Sequence, residues 1–186
     1  EKIKKPEKLV KLLQALAYQL GQEVSYHELG QIVDLDNQTV EKYIDLLEKS
    51  YVIFRLQPLS RNLRKELKTK RKIYFYDNGV RNAVIAQLQP LELRQDKGAL
   101  WENFLLSERL KHLHYAGILA NRFFWRTQDQ QEIDYIEERD GFFYAWEFNW
   151  SPNAGARFST TFTGNYPVRS TELINSENFE LFLGME

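Results

Sequence analysis

The chain has no cysteine among its 186 residues. Disulfides, thiolate nucleophiles and cysteine-bound zinc are therefore excluded, and the composition suits a reducing compartment, so a cytoplasmic location is expected. There is no run of about 18 apolar residues, and the opening EKIKKPEKLV holds no apolar core segment. We expect neither a membrane span nor a signal peptide. Only three histidines occur, His27, His112 and His114, and no His-x-x-x-His spacing joins them; they read as surface or packing residues rather than metal ligands. The pattern GxxxxGK[ST] is absent, so ATP binding by a P-loop is not expected of these residues. The single methionine is Met185. Residue 1 is then no initiator, and we expect polypeptide to precede it.

What is present suits a chain with a sizeable core: 43% of residues are hydrophobic and 14% aromatic, at a length between one large domain and two small ones. Charge divides it. Residues 1–97 carry 18 Lys and Arg against 13 Asp and Glu, a net +5, while residues 98–186 carry 7 against 13, a net −6. We expect two modules, 1–97 and 98–186, with different partners.

In PEKLVKLLQALAYQL, Leu9, Leu12, Leu13, Leu16 and Leu20 fall at helical spacing, with Pro6 in the first turn. Gly21 supplies a stop. Ser25 followed by Glu28 forms a capping box opening a second helix, and Asn37 reads as the cap of a third that carries Val40, Tyr43, Ile44, Leu46 and Leu47. YVIFRLQPL and KIYFYD then read as paired strands, in which Tyr74, Phe75 and Tyr76 are core rather than a base-stacking platform. Gly79 reads as closing the turn that follows. Three helices and a two-stranded ribbon make a winged-helix plan. The ribbon tip is basic: Arg61, Arg64, Lys65, Lys68, Lys70, Arg71 and Lys72, against Glu66 alone. Such a tip can neutralise the phosphates of duplex DNA, or serve as a solvated wing that protects the ribbon edge. The third helix offers Gln38, Lys42, Asp45, Glu48 and Lys49, a mixture poor in the arginines that read guanine.

The second module opens with GALWENFLLSERLKHLH, a helix placing Leu100, Trp101, Phe104, Leu105, Leu110 and Leu113 on its buried side, with Glu102 among them. RFFWRT, EIDYIEE and FFYAWEFNW follow, separated by turn signals, as three strands of a meander. In the last, Tyr144, Trp146, Phe148 and Trp150 alternate with Phe143, Ala145, Glu147 and Asn149. A glutamate in so apolar a strand needs a polar partner, and Asp134 and Glu102 are candidates. VRSTELINS reads as a further strand.

A helix with glutamate, a strand with aspartate, then a strand with Glu-x-Lys resembles the order in restriction-endonuclease-like nucleases. There, two carboxylates hold a divalent metal and the lysine orients the attacking water. Glu102, Asp134 and Glu147 match the acidic positions, and Asn149 stands where the lysine belongs. The longer string, KIYFYDNGVRNAV, GALWENFLLSE, FWRTQDQQEIDYIEE and WEFNW, is similar to the C-terminal region of a broad group of bacterial and archaeal AAA-type ATPases. The fold this implies is α+β, a winged helix followed by a degenerate restriction-endonuclease-like α/β domain. The resemblance also implies an upstream ATPase domain in the same polypeptide, which would hold the ATP, with no cofactor for the present residues other than Mg²⁺ or Mn²⁺ on Asp134 and Glu147.

Three readings of the carboxylates stay open: an active metal site, a vestigial one, or structural side chains. Asn149 brings no charge, and residues 98–186 contain one lysine, Lys111, two and a half helical turns past Glu102. Arg157 is the nearby cation, and Arg126 is the side chain that, on reaching Glu147 or Asp134, would replace a metal. An inactive site is therefore expected, with a metal-dependent DNA nuclease and a winged-helix DNA-binding regulator as the alternatives.

Overall fold

The computed structural model describes residues 5–59, 70–155 and 157–185. The chain forms two compact units, Glu1–Arg55 with Lys70–Asn103, and Leu56–Thr69 with Phe104–Glu186. Among the described residues it is a mixed α+β protein whose seven strands hydrogen-bond in the order β1-β3-β2-β4-β5-β6-β7. No described helix is long and apolar enough to cross a membrane.

In the first unit, α1 (Pro6–Tyr18) starts with a proline where its missing N–H costs nothing, and buries Leu12, Ala15, Leu16 and Ala17. Gly21, at φ +71°, turns the chain into β1 (Glu23–Val24), too short to show a period in the sequence. The Ser25 side chain accepts the Glu28 N–H at 3.1 Å and opens α2 (Tyr26–Val33). The turn to α3 (Asn37–Lys49) is tight enough that a Cβ on Gly30 would lie 2.5 Å from the Leu35 carbonyl oxygen. The cap of α3 is Asp36, which accepts from the Thr39 N–H at 2.9 Å and from the Thr39 hydroxyl at 2.7 Å. Asn37, expected in that role, is the first helical residue instead; the extended backbone of Asp36 aims its carboxylate at the free N–H groups. β1 pairs antiparallel with β3 (Arg71–Phe75), Glu23 opposite Lys72, and β2 (Ile53–Pro58) begins in this unit. Ile53, Ile73, Tyr74 and Phe75 are at most 1% exposed. Gly79 lies inside α4 (Asn78–Val84), not in a turn, because Asp77 caps that helix by accepting the Val80 N–H at 2.7 Å.

The 19-residue α5 (Lys97–Tyr115) starts in the first unit and continues into the second. There, β4 (Asn121–Arg126) runs parallel to the end of β2 and antiparallel to β5 (Glu132–Arg139), which turns back through Asp140 and Gly141 into β6 (Phe142–Phe148). Both turn residues have positive φ, as a two-residue hairpin matching the strand twist requires. α6 (Thr160–Asn165) crosses to β7 (Val168–Ile174), parallel to β6, and α7 (Phe179–Leu183) follows. One sheet face packs Trp125, Ile133, Ile136, Phe143 and Ala145 against Phe162 of α6.

One polar cluster fastens the segment between α4 and α5. Arg81, 3% exposed, donates from Nε to the Ala17 carbonyl (2.9 Å) and from Nη1 to Asp96 (2.6 Å). Arg94 grips the same carboxylate through Nε and Nη2 at 2.9 and 2.8 Å and holds the Gln87 carbonyl at 2.6 Å. The Arg94 hydrogen bond pulls the Asp96 carboxyl down to about 2, against the opposing effect of burial, and Arg81 adds to the drop. A carboxyl whose pKa is depressed on folding stabilises the fold above its unfolded value and loses that contribution as pH falls through its folded value. Stability should therefore decline between about pH 4 and pH 2, and Asp96→Asn should be less stable at pH 7 and flatten that decline, as acid titration of urea unfolding would record.

Candidate functional site

The two middle strands of the second unit do not pair uniformly. Phe123 is opposite Ile136 and Trp125 opposite Ile133, so Asp134 and Tyr135 together face the single residue Phe124, a β-bulge. The pairing of β5 with β6 ends at Tyr135 and Trp146. One residue further on, the Asp134 carboxylate accepts the Phe148 N–H at 2.9 Å, substituting for a ladder bond. Glu147 lies next to Leu173 in the β6–β7 register. Asn149, just past β6, donates its N–H to the Ile174 carbonyl and accepts the Ser151 N–H at 2.9 Å on its side-chain oxygen, the pattern of an Asx turn.

Glu102 belongs to the first unit. Its Oε1 accepts from the Tyr74 hydroxyl at 2.5 Å and from Lys72 Nζ at 3.3 Å. Lys72 is 3% exposed, so this lysine is a buried counter-charge and not a free phosphate contact. Of the basic ribbon, Lys70 pairs with Glu28 at 3.3 Å and Arg71 lies 4.9 Å over the Tyr26 ring. Arg61, Arg64, Lys65 and Lys68 fall outside the described residues. Arg55 of β2 pairs with Asp45 of α3 at 2.9 Å and with Glu48 of the same helix, while Gln38, Lys42 and Lys49 of α3 are exposed. Arg126 pairs with Glu132 at 3.6 Å and donates to Gln130, while Lys111 pairs with Glu108. Among the described residues, no three His, Asp or Glu side chains are placed to hold a metal ion.

A different acid is the deepest. Glu137, fully buried, receives Arg109 of α5 in a two-pronged contact, Nε to Oε1 at 2.7 Å and Nη2 to Oε2 at 3.0 Å. The third Arg109 arm, Nη1, donates to the Phe182 carbonyl at 2.6 Å. Arg139 Nε lies 3.4 Å from Glu137 Oε2, an ion-pair contact, while its guanidinium covers Tyr144 at 3.9 Å. Burial, and then the charge of Glu137, push the Tyr135 phenol well above its usual pKa. Tyr135, Trp146 and Phe148 stack on this side of the sheet, with centroids 5.7 and 6.3 Å from Tyr135. The alternation in β6 revealed the aromatic face. It did not reveal the ion pair, because Arg109 sits in SERLKH, which reads as a polar helix segment, and its partner is 28 residues away.

Residues 1–92 match a family model described as a domain of unknown function, DUF8612, and residues 97–179 match a second, DUF4143. The chain is similar to uncharacterized proteins of Mycobacterium bovis and Mycobacterium tuberculosis, each 32% identical over 136 residues that cover 71% of this chain and 30% of theirs. An uncharacterized protein of Haemophilus influenzae is 28% identical over 109 residues, 58% of this chain and 24% of that one. The chain thus spans less than a third of the length of the curated relatives it matches. No solved structure gives a significant match.

Removing one partner of a buried pair strands the other charge and typically costs about 3–5 kcal/mol, whereas apolar replacement of both is often near neutral. Arg109→Met should therefore destabilise the chain by about 3–5 kcal/mol, and Arg109→Met with Glu137→Leu should recover more than half of the loss. Urea unfolding of the three proteins measures this.

Proposed function

We propose that this chain is an accessory, non-catalytic region of an AAA-type ATPase, made of a winged helix that transmits or receives nucleotide-dependent motion and a retired nuclease-like domain used for interaction. The order α1-β1-α2-α3-β2-β3, with β3 between β1 and β2, supports the winged-helix part. A helix, an antiparallel meander and a helical crossover to a parallel strand are what the restriction-endonuclease-like plan calls for. In the relatives, at least two thirds of the polypeptide lies outside the matched region, which leaves room for a nucleotide-binding domain in those proteins.

The observation that carries the non-catalytic reading is how the nuclease-like positions are used. Glu102 is held by a buried lysine and a tyrosine hydroxyl, Asp134 replaces a strand hydrogen bond, and Asn149 closes a turn. Phosphodiester hydrolysis needs oxygen ligands converging on a cation and positive charge at the phosphate. A lysine that neutralises Glu102 serves neither requirement, and the asparagine at 149 carries no charge. The negative balance of residues 98–186 opposes nucleic acid further. Any contact with duplex DNA then falls to residues 1–97 and the basic stretch they carry from Arg61 to Arg71.

Incubation of the chain with supercoiled plasmid and Mg²⁺ or Mn²⁺ should give no nicking, and incubation with ATP no hydrolysis. Cleavage that Asp134→Ala abolishes, in a variant whose circular dichroism matches the parent, would contradict the proposal.

A further inference from the structure

The aromatic side of β5 and β6 is arranged as a socket. Its wall is built without α7: Arg109 is fixed by both Glu137 oxygens, and Trp146 and Phe148 each stack on Tyr135. Into it α7 inserts one ring and one carbonyl. The Phe182 ring centroid is 5.3 Å from Trp146, 5.5 Å from Phe148 and 6.2 Å from Tyr135, edge-on to each. The Arg109 guanidinium lies 5.0 Å over that ring while its Nη1 binds the Phe182 carbonyl. Side chain and main chain of one residue are thus recognised together, which is how a protein reads a peptide.

The dependence runs one way. A helix of five residues has no stability of its own, so α7 is ordered by the socket. The socket's ion pair and ring stack connect α5, β5 and β6 to each other directly. Elsewhere on α7, Phe179 meets Phe104 edge-on at 6.1 Å, Leu183 is buried, and Leu181 is 81% exposed. Behind it, Gly184 at φ +71° lies flat against the His112 imidazole, and a Cβ there would come within 2.1 Å of the ring. The link from β7 is a short polar turn, in which Asn178 caps the Asn175 N–H and donates to the Leu173 carbonyl.

We infer that α7 is a detachable strap, a peptide ligand bound in cis, and that the socket beneath it is a binding site for a phenylalanine side chain and the carbonyl of the same residue. Opening the strap uncovers an arginine N–H and an aromatic wall while leaving the sheet intact. The inference stands independently of the ATPase reading.

The test uses the full chain carrying Phe182→Ala, which empties the socket, and the synthetic peptide ENFELFLGM as probe. The chain's tryptophan fluorescence, to which Trp146 contributes, should report saturable binding of the peptide, at least tenfold tighter than to the unaltered chain, and a peptide carrying the same Phe182→Ala change should lose at least tenfold. Gly184→Ala, which loosens the strap from behind without touching the socket, should also raise peptide affinity. A folded Phe182→Ala chain that does not bind the peptide overturns the inference. So does failure of both variants to fold, since α7 would then be part of the core.

Discussion

A fully buried carboxylate sets the terms for the second unit. Glu137 sits among aromatic rings, where an isolated charge would cost several kcal/mol. Everything near it answers that demand: Arg109 supplies two hydrogen bonds, Arg139 a second positive charge, and the rings of Trp146, Tyr144 and Phe182 cover the guanidinium faces. The pair ties α5 to the centre of the sheet, and the leftover donor of Arg109 decides where α7 lies. A hydrophobic replacement could match its stability, so what the pair adds is definition: one helix position and one docking point.

The first unit solves the same problem in a partly exposed setting. Asp96 is shared by two arginines, which also hold the Ala17 and Gln87 carbonyls, so one carboxylate secures the approach to α5. Six residues further along that helix, Glu102 receives Lys72 and Tyr74. One acid just ahead of helix α5 and one within it thus bind the chain's own cations, as the proposed non-catalytic reading requires of Glu102.

Much of the local structure was legible in the sequence because short-range rules govern it. The leucine spacing of α1, the Ser25 and Glu28 capping box, the meander of β4 to β6 and the strand at VRSTELI all depend on neighbours within a few residues. Where two good caps adjoin, as at Asp36 and Asn37, backbone direction chooses and spacing does not. β1 was hidden because two residues have no period. The bulge at Asp134 and Tyr135 was hidden because alternation assumes a regular ladder, and it is the bulge that points Asp134 at Phe148. Pairs such as Arg109 with Glu137 and Lys72 with Glu102 join residues 28 and 30 positions apart, and only the tertiary fold selects them.

Central to the proposed non-catalytic reading is that Asp134 gives its carboxylate to the Phe148 N–H, so that it and Glu147 hold no cation. Titrating Mn²⁺ into the isotopically labelled chain and following backbone amide signals tests it most directly, because paramagnetic broadening marks any residue near the ion. The account predicts no selective loss of the signals of residues 134, 147 and 148 at cation concentrations around a millimolar, the weak end of protein sites for hard divalent cations. Their selective disappearance, reversed by excess Mg²⁺, would contradict it.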